Sequence, residues 1–557
     1  MKRYLSISKS VLLAAALVVL GSCNDTWNEH YSFKETESKY PVAKIAETLG
    51  DISGFSNFYT ALRTTKMCDK HGVPLNMTYL DLLMEDQFIT VWAVSDASIQ
   101  DWSLYTKSDK SAAEHKEVGE KFLENQIARF KHSIGSDTVS VVMLNGKNYK
   151  MMPDNIGGQA YHGDDINIRC SNGVLHCIDG SMEFLPNLYE YLTTAPEYKD
   201  IFGDWFKSFT IEELDPYESV AMGLNEDGEI VYIDSVMYES NRLMNTYGRI
   251  LAEDSTYAIV MPTPELWQTV YDRISKSFEY GEKNLNNDSL QQFYTRTMMM
   301  ADMFYNMNPK VQHYLPDSVL STLYRASENR SEGRAYHIFG HPYASDGLFG
   351  SSVGSVKCSN GIIYFIDKWP FADTLSYLRP IKLEAESYSG LAEFKAIQQS
   401  IQFSDMDNPI QVMRISQEGI KNWNCSMYIY DNLKGKYNVK MVLAPNAVDR
   451  KPNYLHPKVT YIMPDGTENV LVDSARMVSI EISPGMYIDQ RVLYYAVNDM
   501  NKLDTIDIGT IDVPFCNYDM PQARLYVNLT SGVNERNSSN YSSEMWLDCI
   551  ILDPIVE

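Results

Sequence analysis

Cys170-Ser171-Asn172-Gly173-Val174-Leu175-His176-Cys177-Ile178-Asp179 and Cys358-Ser359-Asn360-Gly361-Ile362-Ile363-Tyr364-Phe365-Ile366-Asp367 nearly copy each other. In each, Asn-Gly signals a turn with two positive-φ positions, and the β-branched and aromatic run after it reads as a buried strand. A second matching pair lies upstream. Thr90-Val91-Trp92-Ala93-Val94-Ser95-Asp96-Ala97 aligns with Ala258-Ile259-Val260-Met261-Pro262-Thr263-Pro264-Glu265, in each case an apolar strand followed by a polar turn able to cap a helix. The same elements therefore occur twice in the same order. So long a period means duplicated domains, not a solenoid.

Both boxes resemble those of the fasciclin domain. The first copy keeps Thr90, Ala93, Ser95 and Asp96 of the family's first box, with Trp92 and Val94 as departures; the second keeps Pro262 and Thr263 but has Pro264 in place of the Asp. Asn172 to Asp179 and Asn360 to Asp367 match the second box. The resemblance covers about residues 41 to 370 and implies two α+β domains. Helices expected over Phe55 to Leu62 and Glu120 to Phe130 fall where the family has them. In the second copy, helices are expected over Asn287 to Tyr305 and Asp317 to Ser327. A hairpin is expected over Tyr217 to Val236, turning at Asn225-Glu226-Asp227-Gly228. That acidic turn lacks the spacing of a calcium-binding EF-hand loop.

From Ile381 onward short alternating strands, among them Ser426 to Tyr430, Tyr437 to Leu443, Lys458 to Ile462, Met477 to Ile482 and Arg524 to Asn528, follow one another between turns. They read as an all-β antiparallel sandwich or jelly roll. Its entrance, Ile381 to Tyr388, and its exit, Trp546 to Leu552, resemble the first and last strands of carbohydrate-binding sandwich modules.

At the other end, Lys2, Arg3 and Lys9 precede a ten-residue apolar run from Val11 to Leu20, the shape of a signal peptide. The run is too short to span a bilayer core of about 30 Å. Leu20-Gly21-Ser22-Cys23 resembles the bacterial lipobox, which implies cleavage before Cys23 and a lipid on its sulfur. The expected segmentation is a leader over 1–22, a lipidated tether over 23–40, fasciclin-like domains over 41–186 and 187–372, and the sandwich over 373–557. Losing the leader's three positive charges takes the formal charge from −25 to −28. That acidic balance argues against a nucleic-acid partner. The seven cysteines after Cys23 show neither a disulfide framework nor paired CxxC units, so buried thiols are expected and no metal site.

Catalytic signals are thin. Gly350-Ser351-Ser352-Val353-Gly354 fits G-x-S-x-G, but no helix pattern follows it, as a nucleophile elbow requires. His337 and His341, with Glu332 nearby, are separated by helix-breaking Gly340 and followed by Pro342, and are read as structural. No nucleotide cradle or cofactor motif occurs. Binding signals are stronger. On the strand around Ser426, the outward face carries Tyr428 and Tyr430 beside Asn424 and Ser426, while Trp546 and Asp548 share a face opposite Met545, Leu547 and Cys549. Rings beside hydrogen-bonding groups suit a sugar; the blander reading of the same pattern is cross-strand tyrosine pairs on a solvated sheet face or packing under a loop.

These features lead to an expected non-catalytic, lipid-anchored protein of a Gram-negative outer membrane. It would bind a polysaccharide or serve a glycan-uptake complex built on an outer-membrane transporter and its lipoprotein lid, the context its resemblance implies. Adhesion or scaffolding through the fasciclin domains is the alternative, and a hydrolase the third reading.

Overall fold

The computed structural model describes residues 43–69, 72–214, 220–224, 230–234, 237–281, 287–309, 317–321, 337–387, 395–402, 409–416, 419, 421–473 and 475–556. The leader, Cys23 and the tether, Glu332 and the turn Asn225 to Gly228 lie outside these residues. The chain is multidomain and mostly β with some helices. It divides into two compact units, Met1–Leu185 and Pro186–Glu557.

In the first unit, Ile127–Arg129, Ile89–Val94, Gly173–Ile178 and Ile168–Cys170 form one sheet in that order. The middle pair runs parallel, with Trp92 opposite His176, and every residue of both strands is buried. The second unit repeats the arrangement: Phe304–Asn306, Tyr257–Pro262, Gly361–Ile366 and Gly354–Cys358, again with a parallel middle pair. Burial on both faces explains why Ile89–Val94, Gly173–Ile178 and Tyr257–Pro262 are apolar almost throughout rather than alternating, whereas Gly361–Ile366 is only partly covered and leaves Ile362 exposed.

The Asn-Gly corners work differently from the turn the sequence suggests. The two-residue loop between Cys170 and Gly173 is Ser171-Asn172, and neither residue has a positive φ. The asparagine is present for its buried side chain. Asn172 Oδ1 accepts from Ile45 N at 2.9 Å, and its Nδ2 donates to Leu83 O and Glu85 O, both at 2.8 Å. Asn360 repeats all three bonds, with Leu188 N at 2.9 Å, Ile250 O at 2.8 Å and Ala252 O at 3.0 Å. The glycine is present because the parallel partner passes so close. A Cβ at Gly173 would sit 1.9 Å from Ile89 O, and one at Gly361 2.0 Å from Tyr257 O.

Several helix ends shift for a common reason. The helix expected over Phe55 to Leu62 is Ser56–Thr64. The one expected over Glu120 to Phe130 is a π turn and a 3-10 turn that stop at Gln126, where Ile127–Arg129 joins the sheet. Asn287–Met300 is helical, but Phe304–Asn306 pairs with Tyr257–Ile259. Ser318–Leu320, expected to be helical, is a strand pairing with Ile338–Gly340. In the last three cases a strand pairing supplies backbone partners that outweigh local helix propensity. The expected hairpin pairs Val220–Leu224 with Ile230–Asp234.

The C-terminal region packs two antiparallel sheets around one core. One holds Lys395–Ile401, Ile410–Ser416, Met545–Pro554, Gly435–Leu443 and Asp504–Val513, with Ile381–Glu384 also paired to Met545–Pro554; the other runs Asn424–Ile429, Leu525–Ser531, Leu455–Ile462, Glu468–Asp473. Inward residues of both, such as Met427, Val439, Val459, Val527 and Ile550, fill that core. Three residues of this region, Leu433, Cys516 and Tyr518, belong instead to the core of the preceding α/β region, against Phe278 and Tyr294. Backbone bonds reinforce the seam, with Cys516 N donating to Glu279 O at 2.8 Å and Lys434 N to Ser277 O at 3.0 Å. All seven described cysteines are free, and six of them are buried.

Candidate functional site

The outward face of the four-stranded sheet gathers the polar and aromatic side chains. Along Asn424–Ile429 burial alternates strictly: Cys425, Met427 and Ile429 point to the core, and Asn424, Ser426 and Tyr428 point out. Pairing extends each of these into a row. Tyr428 lies opposite Tyr526, which lies opposite Thr460; Ser426 lies opposite Asn528, then Lys458, then Asp473; Asn424 lies opposite Thr530, then His456. The Tyr428 and Tyr526 rings meet edge to face with centroids 4.8 Å apart, and Tyr430 beside them is 45% exposed.

Next to these rings the polar row is incompletely satisfied. Asn528 Nδ2 donates to Ser426 Oγ at 3.3 Å, while Asn528 Oδ1 and Thr460 Oγ1 are buried with no hydrogen-bond partner among the described residues. His456 closes the far side, with Nε2 3.0 Å from Asp473 and Nδ1 at 3.1 Å from Tyr494 O. Asn528 Oδ1 and Thr460 Oγ1 are closed to solvent, so what this face presents outward is exposed Asn424 and Tyr430 beside half-buried Ser426, Tyr428 and Tyr526, hydrogen-bonding groups next to ring edges.

Trp546 and Asp548 do not join this face. Trp546 is 1% exposed and packs with Ile401, Val412 and Ala444 in a small cluster behind the other sheet. Its Nε1 donates to Glu544 at 2.8 Å, and Glu544 in turn accepts from Arg414 at 2.5 Å. The expected alternation fails because the strand bulges at Asp548: Leu443 pairs with Leu547 but Val442 pairs with Cys549. One extra residue flips the phase, so Ile550 and Leu552 take over the core face and Cys549 joins the Trp546 side.

That bulge creates a donor set the sequence reading did not find. Ligand atoms of Glu384, Asp548 and Cys549 lie within 4.8 Å of one another, with Cys549 Sγ 3.2 Å from Asp548 Oδ2. Burial raises the pKa of Asp548 and also that of nearby Glu386, whose Oε2 has no hydrogen-bond partner among the described residues. Lys382 holds Glu384 at 2.6 Å and supplies the nearest positive charge. The oxygen donors suit a hard divalent cation better than a soft one.

The serine motif lies in turns and the two histidines lie on carboxylate contacts. Gly350 to Val353 form turns leading directly into Gly354–Cys358, a strand with no helix behind it. His337 Nδ1 lies 2.8 Å from buried Asp302, and Arg379 reaches His337 Nε2 at 2.8 Å. Because guanidinium only donates, His337 Nε2 accepts from Arg379, and the nitrogen a nucleophile would need is occupied. His341 bonds to Asp317 instead, so the two histidines serve different carboxylates.

A further aromatic group escaped the sequence reading. Tyr454 is stacked between Tyr495, at 4.2 Å, and Tyr541, at 4.6 Å, although the three come from separate loops. The only local signal is Gly532, where a Cβ would meet Tyr495 at 2.3 Å.

No protein-family model and no curated protein matches the chain. Among solved structures it is similar to a FAS1 domain pair from the insect cell adhesion molecule fasciclin I, at 11% identity over 58% of this chain and 99% of that one, with a TM-score of 0.19. It is also similar to the CBM22-1 xylan-binding domain of Paenibacillus barcinonensis Xyn10C, at 10% identity over 32% of this chain and 95% of that one, with a TM-score of 0.18. The similarity to the CBM22-1–GH10 modules of a Clostridium thermocellum xylanase, at 9% identity and a TM-score of 0.18, spans 32% of this chain and 27% of that one.

Proposed function

We propose that this chain is a non-catalytic, lipid-anchored surface protein with two fasciclin-like domains, and that its C-terminal sandwich binds a glycan on the Tyr428/Tyr526 face. The observation that carries the reading is the juxtaposition there of the Tyr428, Tyr526 and Tyr430 rings with the outward-facing Asn424 and Ser426. A pyranose presents apolar C–H faces and hydroxyls together, and this face answers both. The absence of a nucleophile elbow at Ser352 and the occupied Nε2 of His337 support a binding role over hydrolysis. Cys23 carries the anchor in this reading, and an outer-membrane transporter with a lipoprotein lid is the partner complex.

Affinity electrophoresis of the chain from Asn24 through gels containing xylan, galactan or glucan tests it. Retardation by at least one polysaccharide, weakened about tenfold by Tyr428→Ala or Asn424→Ala, is the expected outcome. Equal migration of parent and variants in every gel would overturn it.

A further inference from the structure

The two copies differ at the end of the sheet where the incoming chain arrives. In the first, Ala43 O accepts from Ser171 N, Ile45 N donates to Asn172, and Asn172 O accepts from Ile89 N. The residue before Ile89 is Phe88, whose carbonyl accepts from Phe130 N at 2.8 Å. Two phenylalanines thus stand side by side at this end, 54% and 71% exposed, with Met84 at 41% close by on the loop that Lys44 grips. Lys131 Nζ sits 4.0 Å from the centre of the Phe88 ring, and Arg129 is exposed next to it. The acidic groups here are Glu85 and Asp86, of which Asp86 is neutralised by Lys44 at 2.8 Å.

Phe130 also has φ +69, a left-handed backbone that a bulky aromatic residue rarely adopts. In the second copy the equivalent bond runs from Met307 N to Thr256 O, and Pro186 O accepts from Ser359 N as Ala43 O does from Ser171 N. There Thr256 is exposed but polar, and Met307 packs against the core. Among the described residues the exposed aromatic pair occurs only in the copy that follows the Cys23 segment directly.

We infer that the Phe88–Phe130 end of the first domain docks onto the surface of a phospholipid bilayer, the two rings entering the headgroup boundary and Lys131 and Arg129 facing lipid phosphates. This rests on the proposal that Cys23 is lipidated. Only 19 residues, Asn24 to Val42, separate that sulfur from Ala43. Even fully extended they reach about 65 Å, so the lipid surface is always near this end of the domain. Rings flanked by basic residues are the usual side chains of interfacial contact. An exposed apolar pair within reach of a bilayer has an occupant at hand.

Vesicle flotation of the chain from Asn24, which lacks Cys23, isolates this surface from the anchor. With vesicles of phosphatidylcholine and phosphatidylglycerol, the parent is expected to float, and Phe88→Ser/Phe130→Ser to lose about tenfold of the bound fraction. Lys131→Glu should reduce flotation on these vesicles more than on pure phosphatidylcholine, while Thr256→Ala should change nothing. A parent that does not float, or that floats no better than the double variant, overturns the inference. The anchor is read separately, from the mass of Cys23 peptides in protein extracted from membranes. Lipid on Cys23 with Phe-independent flotation refutes the docking surface alone, and an unmodified Cys23 refutes the anchor.

Discussion

The two parallel-paired sheets make an internal experiment. Both keep the buried asparagine with its three backbone bonds and the glycine pressed against a carbonyl, and both cross the same two strands in the same order. They differ in the side chains that hang from this frame. In the first copy Asp96 accepts from Ser56 N and Oγ and from Asn57 N, capping a helix forty residues upstream. In the second, Pro264 opens its own eleven-residue helix, Thr263 caps it, and Tyr198 reaches Pro262 O at 3.0 Å. Duplication has preserved what the backbone needs and released what side chains can replace.

The sharpest way to break that comparison is at the shared glycine. Gly173→Ala and Gly361→Ala should each destabilise their own unit by about 3 kcal/mol or more, because a backbone carbonyl cannot yield as a side chain can. Urea unfolding followed by peptide-resolved hydrogen exchange assigns each loss to its unit. Similar losses would support a common frame, and a mild effect at either site would refute it.

Acid should separate the copies next. His176, stacked on Trp92 at 5.6 Å and fully buried, has its pKa pushed down to about 4 by burial, while Tyr364 occupies the equivalent place. The fold favours the neutral ring, whereas the unfolded chain takes a proton near the ordinary pKa of about 6.5. Stability fully present above that pH is therefore lost as pH falls toward 4, by up to about 3 kcal/mol. Exchange from Gly173–Ile178 should accelerate across this window more than exchange from Gly361–Ile366, and His176→Phe should flatten the difference.

The smallest effect belongs to Asp96. Asp96→Ala should cost about 1–2 kcal/mol, the loss of a helix cap, seen as a lower urea midpoint for the first unit. Pro264→Ala should leave the first unit unchanged, and a matching loss there would show that the copies are not independent.

Much of this architecture was legible in the chain. Box order and spacing identified two related sheets, and regular short strands identified the sandwich, because burial and alternation leave periodic traces. The Asn172 side chain escaped because its partners, Leu83 and Glu85, are nearly ninety residues away, beyond any local pattern. Trp546 was misread because period-two reasoning assumes an unbroken ladder, and the bulge at Asp548 breaks it. Tyr428 was placed outward by its own strand, but its partner Tyr526 and the unpartnered Asn528 became visible only once the strands were paired. The helix over Glu120 to Phe130 was overrun by a sheet edge that no helical propensity foretells.

Leu433, Cys516 and Tyr518 give the sandwich a mechanical character. A pull on it is transmitted through interlocked side chains into the sheet of the second copy, with Lys434 and Glu279 bonded across the seam at 2.5 Å, rather than through a slack connector that would stretch first. A cut at residue 372 would strip the α/β core of three apolar plugs and leave Phe278 and Tyr294 facing water. The sandwich and the second copy are better regarded as one element with a shared core.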